Sequence, residues 1–254
     1  QSLPRWRELL TKLPPYDTNS DGALAEWMWP GLNDNYKHRH QSHLYPLFPG
    51  WEITADTAPD MFEACRIAAE KRFEVGLNSQ TGWSLANMAN VYARLCEGDK
   101  ALDVVELMVR SCVGSNLFTY HNDVRSQGLA MFWGYGDYVP FQIEANFGLV
   151  NAVHEMLLFS TPEWLRLLPA LPAAWPNGRI RGLRARGGFE ISMQWRNRRL
   201  DTAEITSALG NPCTVRSSTP IRLSTTDVPF QTELRFDTRP GEQYRIVTEA
   251  RQDT

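Results

Sequence analysis

Three histidines and an arginine lie close together early in the chain, at His38, Arg39, His40 and His43. Arginine and histidine side chains donate hydrogen bonds that suit sugar hydroxyls or an anionic group. Two other interpretations stay open. One is a metal site, which the positive charge of Arg39 between two ligands disfavours. The other is a loop that histidine-to-backbone hydrogen bonds hold in shape.

A carboxylate and a carboxamide, Glu144 and Asn146, lie two residues apart at a predicted junction between a loop and a helix. A carboxylate at such a junction can activate water as a general base. A carboxylate in the first turn of a helix also interacts favourably with the helix dipole. Both roles of Glu144 stay open at this point.

Two further residues are candidates for a carbohydrate site. Trp83 stands at the start of a predicted helix, and a flat aromatic ring suits the apolar face of a sugar. Most of the nine tryptophans are nevertheless expected in the core. Glu26 precedes the histidine segment, where it either contacts a substrate or holds the loop in place.

The composition excludes several classes of protein. The chain has 254 residues, of which 43% are hydrophobic and 22% charged, so it can form one large or two ordinary domains. No apolar run approaches the length of a membrane-spanning helix. A net charge of −3 argues against a dedicated nucleic-acid binder. The four cysteines lack zinc-site spacing, and no cofactor or metal is expected.

The pattern of apolar residues divides the chain in two. A helical period predicts helices over residues 3–13, 57–76, 84–95, 99–113 and 146–160, with a long functional loop over 114–143. After Pro162 an alternating pattern predicts strands. Fourteen arginines and no lysine occur in residues 164–254. The arginines at 179, 181, 184 and 186 alternate with other residues, which favours a solvated strand face over a phosphate site.

Five segments resemble, in order, those of inverting α-L-fucosidases of glycoside hydrolase family 95. They are His38-Arg-His-Gln-Ser-His-Leu-Tyr45, Thr81-Gly-Trp-Ser84, Phe141-Gln-Ile-Glu-Ala-Asn-Phe-Gly148, Leu167-Leu-Pro-Ala-Leu-Pro172 and Gly182-Leu-Arg-Ala-Arg-Gly-Gly188. The resemblance implies an α+β multidomain chain: a partial (α/α)6 helical toroid, which is a ring of helix pairs, followed by a C-terminal all-β domain. Residues 1–162 would be the C-terminal half of the ring, and residues 163–254 a β-sandwich-like domain.

The resemblance also implies roles for individual residues. Arg39 and His40 match positions that bind the terminal fucose, and Glu144 matches the general base that activates water. No residue here matches the general acid, which lies upstream in the family. We therefore expect a fragment of an exo-acting enzyme, whose partner is a fucosylated glycan and neither nucleic acid nor membrane. Because the family acts on extracellular glycans, the resemblance favours an extracellular or periplasmic location.

One departure leaves alternatives open. The family usually has Asp where this chain has Glu144, whose carboxylate reaches about one methylene further while keeping an intrinsic pKa of about 4. A displacement of about 1 Å can lower a rate about 100-fold. The backbone could compensate, the substrate could be an α-L-galactoside, or the activity could be weak. A separate alternative is a non-catalytic relative that binds fucosylated glycans.

Overall fold

Helices come first in the chain and strands follow, as the sequence predicts for an α+β protein. The computed structural model describes residues 3–131 and 139–249, so part of the predicted loop 114–143 lies outside the described residues. Within those ranges no helix is long and apolar enough to cross a membrane. The helices are α1 (Leu3–Leu10), α2 (Pro59–Glu74), α3 (Gly82–Arg94), α4 (Gly98–Cys112) and α5 (Ile143–Leu157).

The second part of the chain forms one eight-stranded sheet in the order β1-β2-β6-β8-β5-β4-β3, with β7 paired to β6. Among the strand pairs of the described residues, β2–β6 is the only parallel one. The strands are β1 (Leu158–Ser160), β2 (Leu165–Leu167), β3 (Gly178–Ala185), β4 (Phe189–Arg196), β5 (Arg199–Ser207), β6 (Cys213–Leu223), β7 (Gln231–Phe236) and β8 (Gln243–Thr248).

The sheet curls into a near-barrel and does not form the two stacked layers of the predicted β-sandwich. Its end strands β1 and β3 meet at Arg186, the residue directly after β3. The backbone N–H of Arg186 donates to Oγ of Ser160 (3.1 Å), and its guanidinium donates to the backbone O of Ser160 (2.8 Å). Curling lets a single sheet enclose its own apolar side chains, including Ile191, Ile205 and Ile246. A second sheet is therefore not needed to cover them.

The predicted helix over 146–160 is wrong at its C-terminal end. Helix α5 ends at Leu157, and Leu158–Ser160 form strand β1, antiparallel to β2. All three residues of β1 are buried. A short apolar run does not by itself distinguish a buried strand from the end of a helix, and here pairing with β2 decides the conformation.

Helix α3 is the centre of the helical part and is buried along almost its whole length. Asn90 of α3 donates to the backbone O of Gly148 in α5 (2.9 Å), and one turn later Arg94 contacts Glu155. The second contact lies closer to the C-terminal end in both helices, so α3 and α5 run parallel. Helix α4 follows α3 after the short turn 95–97 and packs antiparallel to it.

A buried ion pair joins the C-terminal ends of α3 and α5. Arg94 donates from Nε and Nη2 to the two carboxylate oxygens of Glu155, at 2.6 and 3.1 Å. Its Nη1 donates to the backbone O of Leu47 (3.1 Å) and of Gly50 (2.8 Å). The guanidinium also lies 3.9 Å from the ring centroid of Phe159 in β1. One side chain thus connects two helices, a loop and the sheet.

We predict that Arg94→Met lowers the free energy of unfolding by about 3–5 kcal/mol, because it leaves the buried carboxylate of Glu155 without its partner. Chemical denaturation measures the change. Arg66→Met is the matched control: Arg66 pairs with Glu63 and Glu70 at the surface of α2, where such pairs contribute about 1 kcal/mol or less. Equal losses in the two variants would contradict the structural role of Arg94.

Candidate functional site

The segment that carries Arg39 and His40 is held in place by a carboxylate. One oxygen of Glu26 accepts from the backbone N–H of Asn35 (2.9 Å) and from Nη2 of Arg72 (3.0 Å). The Arg72 side chain is wholly buried on α2. The carboxylate of Asp34 in turn accepts from the backbone N–H of Glu26 (2.9 Å). Glu26 therefore holds the loop in place, which is one of the two roles that the sequence left open.

Three of the four predicted site residues come together. Arg39, His40 and Trp83 line one cleft of about 210 Å³, together with Asn87, Tyr45 and neighbouring residues of segment 39–49. Pockets for drug-sized ligands typically measure about 300–1,000 Å³, so this cleft suits a ligand the size of one sugar ring. It combines guanidinium, imidazole and amide groups with aromatic surface.

Glu144 does not line this cleft, although it lies on the neighbouring helix. It belongs to the first turn of α5, and its side chain is exposed. The Gln142 side chain, just before the helix, accepts from the backbone N–H of Trp83 at 2.8 Å. The starts of α3 and α5 are therefore joined directly. Across residues 3–131 and 139–249, the carboxylate of Glu144 has no hydrogen-bond or ion-pair partner.

Two glycines allow this close approach. A Cβ at Gly82 would lie 2.3 Å from the backbone O of Tyr120, and one at Gly148 would lie 2.9 Å from the Cβ of Ala86 and 3.2 Å from the Trp83 ring. Carbon and oxygen atoms do not approach so closely without displacement. Glycine at 148 therefore sets the distance between α5 and the start of α3, and glycine at 82 lets the loop at Tyr120 lie against the start of α3.

Two histidines of the segment are held in the neutral form. Partial burial and the nearby Arg39 and His38 lower the pKa of His40. Burial, with a smaller contribution from Arg72, lowers the pKa of His43 to about 3. A neutral imidazole both donates and accepts a hydrogen bond, so near pH 7 His40 can bind a hydroxyl in either direction.

Sequence reasoning missed Asn87 as a cleft residue. Asn87 follows Trp83 by four positions, and residues at this spacing share a helix face, so the periodicity of α3 contained the signal. Among the described residues no group of three or more His, Cys, Asp or Glu side chains is arranged to hold a metal ion. Larger clefts lie between the helices and the sheet and on the sheet itself.

Comparisons with known proteins identify the family of the chain. Residues 1–157 match the glycosyl hydrolase family 95 catalytic domain, and residues 160–246 match the glycoside hydrolase family 95 C-terminal domain. The chain is 41% identical over 196 residues to alpha-L-fucosidase 2 of Arabidopsis thaliana, an alignment that covers 72% of this chain and 21% of that protein. It is 31% identical over 211 residues to the probable alpha-fucosidase A of Aspergillus oryzae, covering 75% of this chain and 27% of the relative.

The two family models together account for nearly all of the described residues. The chain therefore belongs to glycoside hydrolase family 95. It spans about a fifth to a quarter of the length of the curated relatives it matches.

We predict that His43 makes the protein less stable as the pH falls. Its pKa is lowered in the folded state, so below about pH 6.5, the unperturbed value, the unfolded chain binds a proton that the folded chain does not. The free energy of unfolding should therefore fall as pH decreases, by up to about 1.4 kcal/mol for each pH unit down to about pH 3.

The measurement compares wild type with His43→Asn by denaturation at pH 7.5 and pH 4.5. The Asn variant lacks the titrating ring, so its pH dependence should be flatter by that amount. His38→Asn, which changes an exposed histidine of the same segment, is the control. Parallel pH profiles of wild type and His43→Asn would contradict the assignment.

Proposed function

We propose that this chain is the C-terminal portion of an exo-acting α-L-fucosidase that releases terminal L-fucose from glycans with inversion. The observation that carries the proposal is the convergence of Arg39, His40 and Trp83 in one cleft. The named relatives are alpha-fucosidases, and this supports fucose as the sugar that the cleft accepts.

The chemistry of the cleft suits such a sugar. Arg39 and His40 offer hydrogen bonds to ring hydroxyls, and the half-buried Trp83 offers a flat apolar surface. Asn87, one helical turn further along α3, adds an amide that can donate and accept. A deoxy sugar has both an apolar edge and hydroxyls, so it can use both kinds of contact.

We assign Glu144 the role of general base. Its exposed carboxylate lacks a partner among the described residues and is free to bind water. In an inverting glycosidase the base takes a proton from water while a second carboxyl group, about 6.5–9.5 Å away, protonates the leaving oxygen. The second group would come from a part of the protein upstream of this chain.

We further propose that the helices are part of an (α/α)6 toroid. In such a ring the inner helices run parallel, as α3 and α5 do, and the outer helices run antiparallel to them, as α4 does. The exposed residues Ile143, Phe147 and Val150 form an apolar stripe on α5, with exposures of 48%, 69% and 69%. A neighbouring inner helix of the ring would cover that stripe.

A second candidate is a non-catalytic protein that binds fucosylated glycans. It is favoured by the position of Glu144 outside the residues that line the cleft, and by the replacement of the family's usual aspartate. In this case the cleft would retain its sugar contacts, and turnover would be absent even when the rest of the catalytic domain is present.

For the enzyme, we predict that Glu144→Gln lowers kcat about 10²–10⁴-fold and leaves KM nearly unchanged, because it removes a general base. The test uses a protein that joins this chain to the rest of the catalytic domain, with proton NMR of the first product formed. Wild type should release the β anomer of L-fucose. Glu163→Gln removes an exposed carboxylate beyond α5 as a control. Early release of the α anomer, or full activity of Glu144→Gln, would refute the assignment.

For the cleft itself, we predict that the 254-residue chain binds L-fucose and that Arg39→Gln weakens binding about tenfold or more, through loss of charge-assisted hydrogen bonds. Trp83→Ala should weaken it about three- to tenfold. Isothermal titration calorimetry gives the affinities. Trp6→Ala, at an exposed tryptophan of α1, is the control. If Trp6→Ala costs as much as Trp83→Ala, the cleft is not the binding site.

A further inference from the structure

A second groove, of about 320 Å³, lies on the outer face of the sheet. Two arginines of β3, Arg179 and Arg181, stand at one side of it, and Arg245 of β8 stands at the other. All three side chains are exposed. The groove belongs to the strand face that the sequence predicts to be solvated.

The strand register shows which side chains lie between these arginines. Gln194 pairs with Arg179 on one side and with Thr202 on the other. Glu204 pairs with Arg245 on β8. From β3 to β8 there are three interstrand spacings, or about 14 Å. The groove thus has cationic ends and a middle of amide and hydroxyl groups, with one carboxylate near Arg245.

The cationic groups are not neutralised by neighbours. Among the described residues, Arg179, Arg181 and Arg245 have no ion-pair partner within 4.0 Å. Nearby arginines of the same sheet do have one: Arg184 lies 2.8 Å from Glu190, and Arg196 lies 3.4 Å from Asp201. Within the described part of the chain, three guanidiniums without an ion-pair partner therefore stand at one groove, while other arginines of this arginine-rich sheet are paired.

We propose that this groove binds a polyanionic polysaccharide, a glycan chain that bears sulfate or carboxylate groups. Guanidinium groups bind such anions through paired hydrogen bonds, and the amide and hydroxyl groups between them match sugar hydroxyls. A length of about 14 Å exceeds one small anion. No aromatic side chain lines the groove to stack on nucleobases. The proposal is independent of Glu144 and of any hydrolysis.

The test measures binding of the 254-residue chain to immobilised dextran sulfate, to polygalacturonate and to neutral dextran at about 0.15 M salt. At this ionic strength charges are screened beyond about 8 Å, so binding requires close contacts. Binding to at least one polyanion and not to dextran is expected, and the two polyanions distinguish sulfate from carboxylate recognition. The triple variant Arg179→Gln, Arg181→Gln, Arg245→Gln should bind at least about tenfold more weakly.

Two matched variants make the test specific. A second triple variant removes the same charge from exposed arginines outside the groove: Arg198→Gln, Arg199→Gln, Arg235→Gln. This variant should change the affinity less than about threefold. Glu204→Gln removes the carboxylate inside the groove and should strengthen binding. Thermal unfolding confirms that each variant is folded; if the groove triple variant is not, Arg245→Gln alone replaces it.

Three results would overturn the proposal. The first is equal loss in the two triple variants, which would show a general charge effect. The second is absence of wild-type binding to both polyanions. The third is equally tight binding of a single-stranded DNA, which would show that the surface does not select glycans. None of these outcomes bears on fucose release, so the two functions are tested separately.

Discussion

The ion pair between Arg94 and Glu155 is the contact on which the rest of the structure depends. A buried charge is tolerated only when its hydrogen bonds are satisfied, and each nitrogen of the Arg94 guanidinium has an acceptor. The acceptors come from α5 and from the loop at residues 47–50, and the stacked ring of Phe159 comes from the sheet. One side chain therefore fixes how three parts of the chain meet.

This contact acts at a distance from the cleft. Helix α3 has 13 residues and is about 20 Å long, with Arg94 at its end and Trp83 at its start. The parallel helices α3 and α5 are joined at one end by Arg94 and at the other by the hydrogen bond from Trp83 to Gln142. Because both ends are fixed, the start of α5, which carries Glu144, has a defined position beside Trp83.

The sequence predicts helices α2 to α5 well because apolar residues recur along them at helical spacing and are buried. It fails at Leu158–Ser160, because the conformation there depends on pairing with β2, and it does not predict that β2 runs parallel to the distant strand β6. For the same reason the sequence does not predict the near-barrel, because the shape depends on pairing between residues that are distant in sequence. Alternation along each strand shows which side chains point inward, whereas closure of the sheet depends on contacts such as that of Arg186 with Ser160.

The site is predicted in a different way from the fold. Arg39 and Trp83 come from separate segments, and only the order of motifs associates them before the structure shows one cleft. The role of Glu144 stays a prediction, since the carboxylate lies outside the cleft lining. The apolar stripe of Ile143, Phe147 and Val150 shows a similar limit for the fold. A periodic apolar pattern predicts that a helix face is buried, but the element that covers this face can lie outside the chain. Under the proposed toroid that partner is the next inner helix, and the same ring would complete the cleft with the missing acid.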